Sequence, residues 1–343
     1  MTLLATGKSA AFIDGQFVFF QVLIDCLLRL KCNNTDRAEL LSACKQEYEG
    51  NTIELDKLLD FETNYSFNKA LWWYTRDSFF YRTLNAALRR QDARMIILYR
   101  SCISDIYRHL QVHQCKEPVR VYRSQLMSSG EIKKLQQYKG QFVSMNSFLS
   151  TSSEQPMALF YMGDRSQGID LERVLFEIDA NPTAAAVKPF ADISPYSCFK
   201  SELEVLFMLG STFRLEDVTR GDDQVWTVKM TLCSDDEHHL KQVLAYMKDQ
   251  NGLGETNFHT LGKLLWKLGQ SPLAEKYYTQ LLDELPIHDP LRAVLYDELG
   301  TIASQARDND KSIAFHQKAW EIKEQLKSIP TVEENTRKCQ EIL

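Results

Sequence analysis

The sequence predicts an α+β protein, and three changes of texture along the chain carry that prediction. From residue 17 to about 115, long segments rich in Leu, Ala, Arg and aromatics run with little glycine and no proline before Pro118, which is helical material. After Pro118 the apolar period drops to two, and short runs of β-branched and aromatic residues alternate with turn signals. From about Asp235 helical periodicity returns. No regular helix separates successive strands, so the middle texture suits an α+β sheet better than a doubly wound parallel one.

Taken in order, the apolar stretch Phe17 to Leu30 is interrupted by Gln21, Asp25 and Arg29. Its Phe20, Ile24 and Leu27 fall at i, i+4, i+7, so it reads as an amphipathic helix rather than a signal segment. The aromatic run between Lys69 and Tyr81 reads mostly as helical core. Strands are expected near Val119–Arg123, Gly140–Phe148, Arg173–Ile178, Leu203–Phe207, Thr212–Val218 and Val225–Leu232. Two later segments overlie one another. Leu261-Gly-Lys-Leu-Leu-Trp266 with Ala274–Leu282 matches Leu299-Gly-Thr-Ile-Ala-Ser304 with Ser312–Trp320 at an offset of 38 residues. The pattern resembles tetratricopeptide helix-turn-helix units, slightly lengthened by Leu285-Pro-Ile-His-Asp-Pro290; an ordinary helical hairpin is the alternative. The expected division is a domain over 1–233, helical over about 17–115 and sheet over about 118–233, then helical repeats over 235–343.

Composition excludes several functions. The 343 residues are 25% charged with a net charge of −6, which argues against a general polyanion binder and so against nucleic acid as a partner. The eight cysteines form no C-x-x-C pair and no zinc-ligand spacing, so they read as free thiols in a reducing compartment and no metal is expected. No stretch approaches the roughly 18 apolar residues of a membrane span, which makes cytoplasm the default location, with a secreted form as the alternative. Gly7-Lys-Ser9 lacks the first glycine of a phosphate loop, so an ATP site is not expected.

Three short segments could carry chemistry. Val119-Arg-Val-Tyr-Arg-Ser124 is an alternating strand closing on Arg123, and an arginine there is commonly a solvated charge. Phe142-Val-Ser-Met-Asn-Ser-Phe-Leu-Ser-Thr-Ser152 is rich in hydroxyls, as linkers are, yet it interleaves Phe142, Val143, Met145, Phe148 and Leu149, which a linker would lack. Phe199-Lys-Ser-Glu-Leu-Glu-Val-Leu-Phe207 would put Glu202 and Glu204 on one face of a strand, with Leu203, Val205 and Phe207 toward the core. Paired carboxylates repel, a cost better tolerated where a cation must be held; the plain alternative is two solvated acids on an edge strand.

In this order and spacing, with Ser150-Thr-Ser152 beginning 27 residues after Arg123 and Glu202-Leu-Glu204 opening a late strand, the segments resemble the arginine, Ser-Thr-Ser and Glu-x-Glu signature of the arginine-specific mono-ADP-ribosyltransferases. The resemblance covers roughly residues 17–233. It implies a mixed, largely antiparallel β-sandwich core that uses NAD and no metal. Glu204 would stabilise the oxocarbenium-like ribose, Glu202 would orient and deprotonate the acceptor guanidinium, and Ser150 would brace the catalytic strand. Arg123 would hold an NAD phosphate, with Tyr122, Ser124, Phe148, Thr151 and Ser152 around the cofactor and Tyr196 and Phe199 against the target protein. Relatives with Gln at the first position of Glu-x-Glu modify Asn or Cys, so Glu202 implies arginine on a protein as acceptor. The alternatives are an NAD glycohydrolase and a tetratricopeptide scaffold with an inactive transferase domain. The helical repeats are expected to carry a peptide or protein ligand, and no membrane partner is expected.

Overall fold

A computed structural model describes residues 2–4, 15–30, 34–162, 171–184, 188–234 and 257–327. The Gly7-Lys-Ser9 segment and the expected boundary just past residue 233, with the stretch 235–256, lie outside the described residues. The chain forms two compact units that part near residue 250.

The first unit opens with a short strand β1 (Thr2–Leu4) and seven helices: α1 (Gly15–Arg29), α2 (Asn34–Glu47), α3 (Thr52–Asn64), α4 (Ala70–Thr75), α5 (Phe79–Arg90), α6 (Ala93–Leu98) and α7 (Arg100–Val112). Their boundaries have local causes. The Asn51 side chain accepts from the Glu54 amide to start α3, and Gln91, left-handed at φ 55°, ends α5 before Asp92 caps α6. The aromatic run packs as read: the Phe61 ring meets Trp73, Phe79 and Phe80 at 5.1, 5.5 and 5.3 Å, all four buried. In α1, Phe20, Ile24 and Leu27 are buried; Gln21 is buried too, its amide donating to the Gly210 carbonyl at 3.1 Å.

The sheet follows: β2 (Val119–Ser128), helix α8 (Ser129–Gln137), β3 (Phe142–Ser144), β4 (Leu149–Ser152), helix α9 (Gln155–Phe160), β5 (Leu171–Ala180), β6 (Phe190–Asp192), β7 (Glu204–Phe207), β8 (Thr212–Arg220) and β9 (Trp226–Leu232). Hydrogen bonds link the strands in the order β1-β3-β8-β9-β5-β2-β4-β7-β6, with β5 and β9 parallel and the other neighbours antiparallel. Four strands separate β8 from β7 in that order, so a flat sheet would hold them about 24 Å apart at the usual strand spacing. Yet Phe207 of β7 and Phe213 of β8 touch ring to ring at 5.6 Å. The sheet therefore curls on itself and packs its two halves face to face, a mixed sandwich whose core includes Val121, Val174, Phe176, Phe190, Phe207, Phe213 and Val228.

Helices α8 and α9 lie between successive strands, where the sequence reading expected no regular helix, several strand ends shift by one or two residues, and two larger differences in the strands bear on the site. β2 does not stop at Arg123, because β5 pairs with it as far as Ser128; Arg123 is a mid-strand residue. The expected strand Gly140–Phe148 is strand only at Phe142–Ser144. At Met145 the chain leaves β8, bonding Ser211 and Gly210 through its backbone, and crosses to the other half of the sandwich, where β4 joins β2 and β7.

The second unit holds α10 (Phe258–Lys267), α11 (Ser271–Glu284), α12 (Leu291–Gln305) and α13 (Asn309–Lys327), paired as α10 with α11 and α12 with α13. The pairs are equivalent in detail. Gly262 of α10 lies against Tyr278 of α11, and Gly300 of α12 lies against His316 of α13, the same offset of 38 at both partners. Ala274 and Ser312, again 38 apart, are both buried. His259 binds Glu298 at 3.0 Å and Trp266 Nε1 donates to Gln305 at 2.8 Å, joining α10 to α12.

Candidate active site

Three adjacent strands, β2, β4 and β7, bring Arg123, Ser150 and Glu204 together. The register of β4 sets Ser152 opposite both Tyr122 of β2 and Glu204 of β7, and Ser150 opposite Leu206. Neighbouring strands lie about 4.8 Å apart, so residues 27 and 81 positions from Arg123 in the chain come within two strand spacings of it. Tyr122, Arg123, Ser124, Ser150, Thr151, Ser152, Glu202 and Glu204 line one cleft of about 230 Å³, closed by Met157, Ala158 and Tyr161 of α9 and the turn after it.

The parts are locked by bonds that cross strands. Arg123 Nη1 donates to the Ser150 carbonyl at 2.7 Å, and Thr151 Oγ1 donates to the Val205 carbonyl at 2.7 Å. Ser152 Oγ donates to the Glu202 carbonyl at 2.9 Å. Thr151 and Ser152 thus brace the strand that bears Glu204.

Glu204 opens β7 and is 4% exposed. Burial pushes its carboxyl up to about 7, and the nearby Glu202 charge acts in the same direction; hydrogen bonds with Ser150 and Ser197 and the Arg123 charge oppose it. An acid in this condition is readily ionised by a neighbouring cation.

Glu202 reaches the cleft by a different route from the one the sequence suggests. It is not on the strand: it closes a 3-10 turn, Lys200–Glu202, and Leu203 follows in the left-handed region at φ 47°. That kink turns the alternation off, so Leu203 is 41% exposed rather than in the core, while Val205 and Phe207 are buried as expected. A left-handed leucine costs about 1–2 kcal/mol, here offset by the Ser153 amide donating to the Leu203 carbonyl at 3.1 Å. The Glu202 carboxylate accepts from the Tyr161 hydroxyl at 2.7 Å.

The other expected site residues divide between two further concavities. Phe148 is buried, edge-on to Tyr74, and lines a second cleft with Arg89, Gln125, Lys134 and Arg123; Arg123 is therefore common to both clefts. Tyr196 and Phe199 line neither. They face a separate groove with Trp72 and Trp73, where the Tyr196 ring lies tilted against His113 at 4.4 Å and Phe199 is 44% exposed. Sequence reasoning missed Tyr161, Arg89, Lys134 and Ser197. Arg89 and Lys134 sit on helices whose charges look solvated in one dimension, and Tyr161 lies in a segment with no alternation to mark it.

The family model described as ADP-ribosyltransferase exoenzyme matches residues 45–244, a segment that takes in Arg123, Ser150, Glu202 and Glu204. Among solved structures, the Vis toxin, an ADP-ribosyltransferase from Vibrio splendidus, is 18% identical over 62% of this chain and 92% of its own, with a TM-score of 0.39. The C3 exoenzyme of Clostridium limosum is 19% identical over 52% of this chain and 90% of its own, at 0.38. The ADP-ribosyltransferase HopU1 of Pseudomonas syringae pv. Tomato DC3000 is 17% identical over 64% and 97%, at 0.39. No curated protein matches the chain.

Proposed function

This chain belongs to the ADP-ribosyltransferase exoenzyme family, whose members use NAD and act on proteins, and from that premise we propose that it transfers ADP-ribose to arginine side chains with release of nicotinamide. The observation that carries the reading is the pair of glutamates in one cleft with different environments, Glu204 buried and Glu202 held at the mouth by Tyr161.

Each residue answers a need of the reaction. The NAD diphosphate calls for charge-assisted donors, and Arg123 and, in the adjoining cleft, Arg89 supply planar ones, with Lys134 adding a point charge. The bond from ribose C1′ to the nicotinamide nitrogen breaks with its electron pair leaving on nicotinamide, which departs neutral. Positive charge gathers on the ribose, and Glu204 stabilises it best as an anion in a site where little water screens the interaction. A guanidinium has no free lone pair at neutral pH, so its nitrogen can bond to C1′ only as it gives up a proton, and Glu202 accepts that proton. Glutamate at 202, where an amide could not take the proton, supports arginine as the acceptor.

We read the second unit as tetratricopeptide-like repeats that bind a peptide or protein ligand; its support is the doubled glycine contact at an offset of 38. The scattered cysteines, with no C-x-x-C pair, favour a reducing compartment. The test of the reading is nicotinamide release from NAD with and without agmatine. ADP-ribosyl-agmatine formed by the wild type and lost in Glu204→Gln is the expected result. Nicotinamide released without any acceptor product would favour a glycohydrolase, and no release at all would favour a scaffold.

A further inference from the structure

Tyr161 is an unusual tyrosine for its place. It follows the last turn of α9, is 59% exposed, and its described ring neighbour is the still more exposed Phe160, edge-on at 5.5 Å. Packing therefore gives no reason for a ring here, still less for a hydroxyl. The backbone on either side is fixed: Ala158 and Met162 are buried in a small cluster with Leu175 and Val225, the Ala158 carbonyl accepts from Ser124 Oγ, and the Met162 amide closes a turn on the Leu159 carbonyl at 3.0 Å. From these anchors the phenol reaches across the cleft mouth and donates to Glu202 Oε1 at 2.7 Å.

We propose that Tyr161 is the positioning residue for the acceptor: its hydroxyl holds the Glu202 carboxylate in the orientation that receives a guanidinium, an assignment that rests on the arginine-transfer reading above. Glu202 needs such a partner. Its backbone is fixed by the Ser152 hydroxyl on its carbonyl and by its own amide donating to the Phe199 carbonyl at 3.1 Å. Its carboxylate, on a rotatable side chain beside the charge of Glu204, has no such restraint from the backbone, and among the described residues Tyr161 is its hydrogen-bond donor. By occupying Oε1 the phenol leaves Oε2 for the acceptor, and as a neutral donor it offsets part of the repulsion between the two acids without competing for the guanidinium as a lysine would. The contact to Glu202 also lifts the phenol above its usual range, so it remains a donor throughout the working pH range.

The test compares the full-length wild type with Tyr161→Phe and Tyr161→Ala, following nicotinamide release without acceptor and ADP-ribosyl-agmatine formation as agmatine is varied. Loss of one hydrogen bond to a charged group corresponds to a change of about 10- to 100-fold, and at this exposed tyrosine to the lower end, so Tyr161→Phe is expected to raise the KM for agmatine and lower the ratio of transfer to hydrolysis by about tenfold, with Tyr161→Ala giving a similar ratio. The assignment is overturned if Tyr161→Phe keeps the wild-type ratio, or if only Tyr161→Ala changes it, which would make the ring rather than the hydroxyl the working part. Equal loss of hydrolysis and transfer in Tyr161→Phe would overturn it too, placing the residue on the NAD side. A wild type that releases nicotinamide but forms no ADP-ribosyl-agmatine would sink the arginine reading itself, and that control is read before either variant.

Discussion

Arg123 donates to the backbone carbonyl of Ser150, so the guanidinium is held across β2 and β4 by a group that no substitution at position 150 removes. One nitrogen is committed to the strand and the planar fork still faces both clefts. A lysine has three donors but on one compact ammonium nitrogen, so it lacks the planar fork that lets a guanidinium bond the carbonyl with one nitrogen and present another to a phosphate. Arg123→Lys is therefore expected to raise the KM for NAD by about 10- to 100-fold, the range for losing a charged hydrogen bond with its geometry. Steady-state nicotinamide release against NAD concentration checks it; an unchanged KM would remove Arg123 from phosphate binding.

Ser150→Ala should behave differently. The carbonyl that holds Arg123 survives, but the hydroxyl that favours the Glu204 anion is gone. The wild-type profile of kcat/KM for hydrolysis should rise with pH along a limb near 7, because the anion is the working form and burial has lifted its carboxyl to about that value. In Ser150→Ala the limb should move to higher pH with little change in the KM for NAD. A limb that stays in place, or moves down, would contradict the role given to the hydroxyl.

The division of labour between the acids predicts that only the Glu202 variant separates transfer from hydrolysis. Glu202→Gln keeps the shape and the Tyr161 contact but cannot take a proton, so transfer to agmatine should fall by about 100-fold, within the 10²–10⁴ typical of a general base. Hydrolysis, which needs no guanidinium, should fall far less. Product analysis by chromatography separates the two, and parallel loss would refute the split.

Much of this arrangement was legible in one dimension, and what was not has physical causes. Alternation places Val205 and Phe207 in the core, and spacing lets Arg123, Ser150 and Glu204 be read as a set. The left-handed Leu203 could not be foreseen, since nothing in Ser-Glu-Leu-Glu marks a residue as violating its own preference, and so Glu202 was assigned to a strand it does not occupy. Arg89, Lys134 and Tyr161 acquire meaning only from what the fold sets opposite them. Met145, where the chain crosses between sheet halves, looks like one more residue of an alternating run.

Burial of Glu204 should also be visible as a stability cost. Its folded value of about 7 exceeds the ordinary 4.5, so between those values the folded chain holds a proton that the unfolded chain has lost. The stability linked to it is complete below pH 4.5 and lost as pH rises through 7. At 1.36 kcal/mol per unit the loss is on the order of 3 kcal/mol. Glu204→Gln, expected to abolish hydrolysis and transfer together, should raise the melting temperature relative to wild type at pH 8, with the difference closing near pH 4.5. Calorimetry at both pH values decides it, and a variant less stable than wild type at pH 8 would contradict the account.

The paired glycines of the second unit give a prediction in which two like substitutions should differ in sign. Helical Gly→Ala is ordinarily favourable by about 1 kcal/mol. At Gly262 a Cβ would fall 2.1 Å from Cε1 of Tyr278, a wholly buried ring with no room to retreat, and overpacking of that kind costs about 1–3 kcal/mol. At Gly300 the nearest atom is Nε2 of His316 at 2.7 Å, the end of a side chain that is 47% exposed and can swing away at the expense of its 3.2 Å contact with Asp297. Gly262→Ala should therefore weaken the helical unit, and Gly300→Ala should leave it unchanged or slightly firmer. Native-state hydrogen exchange over residues 257–327 of the full chain reports this unit. Slower exchange in Gly262→Ala than in wild type would mean that α10 and α11 can part without cost, and the tight glycine contact would then not be what holds that pair together.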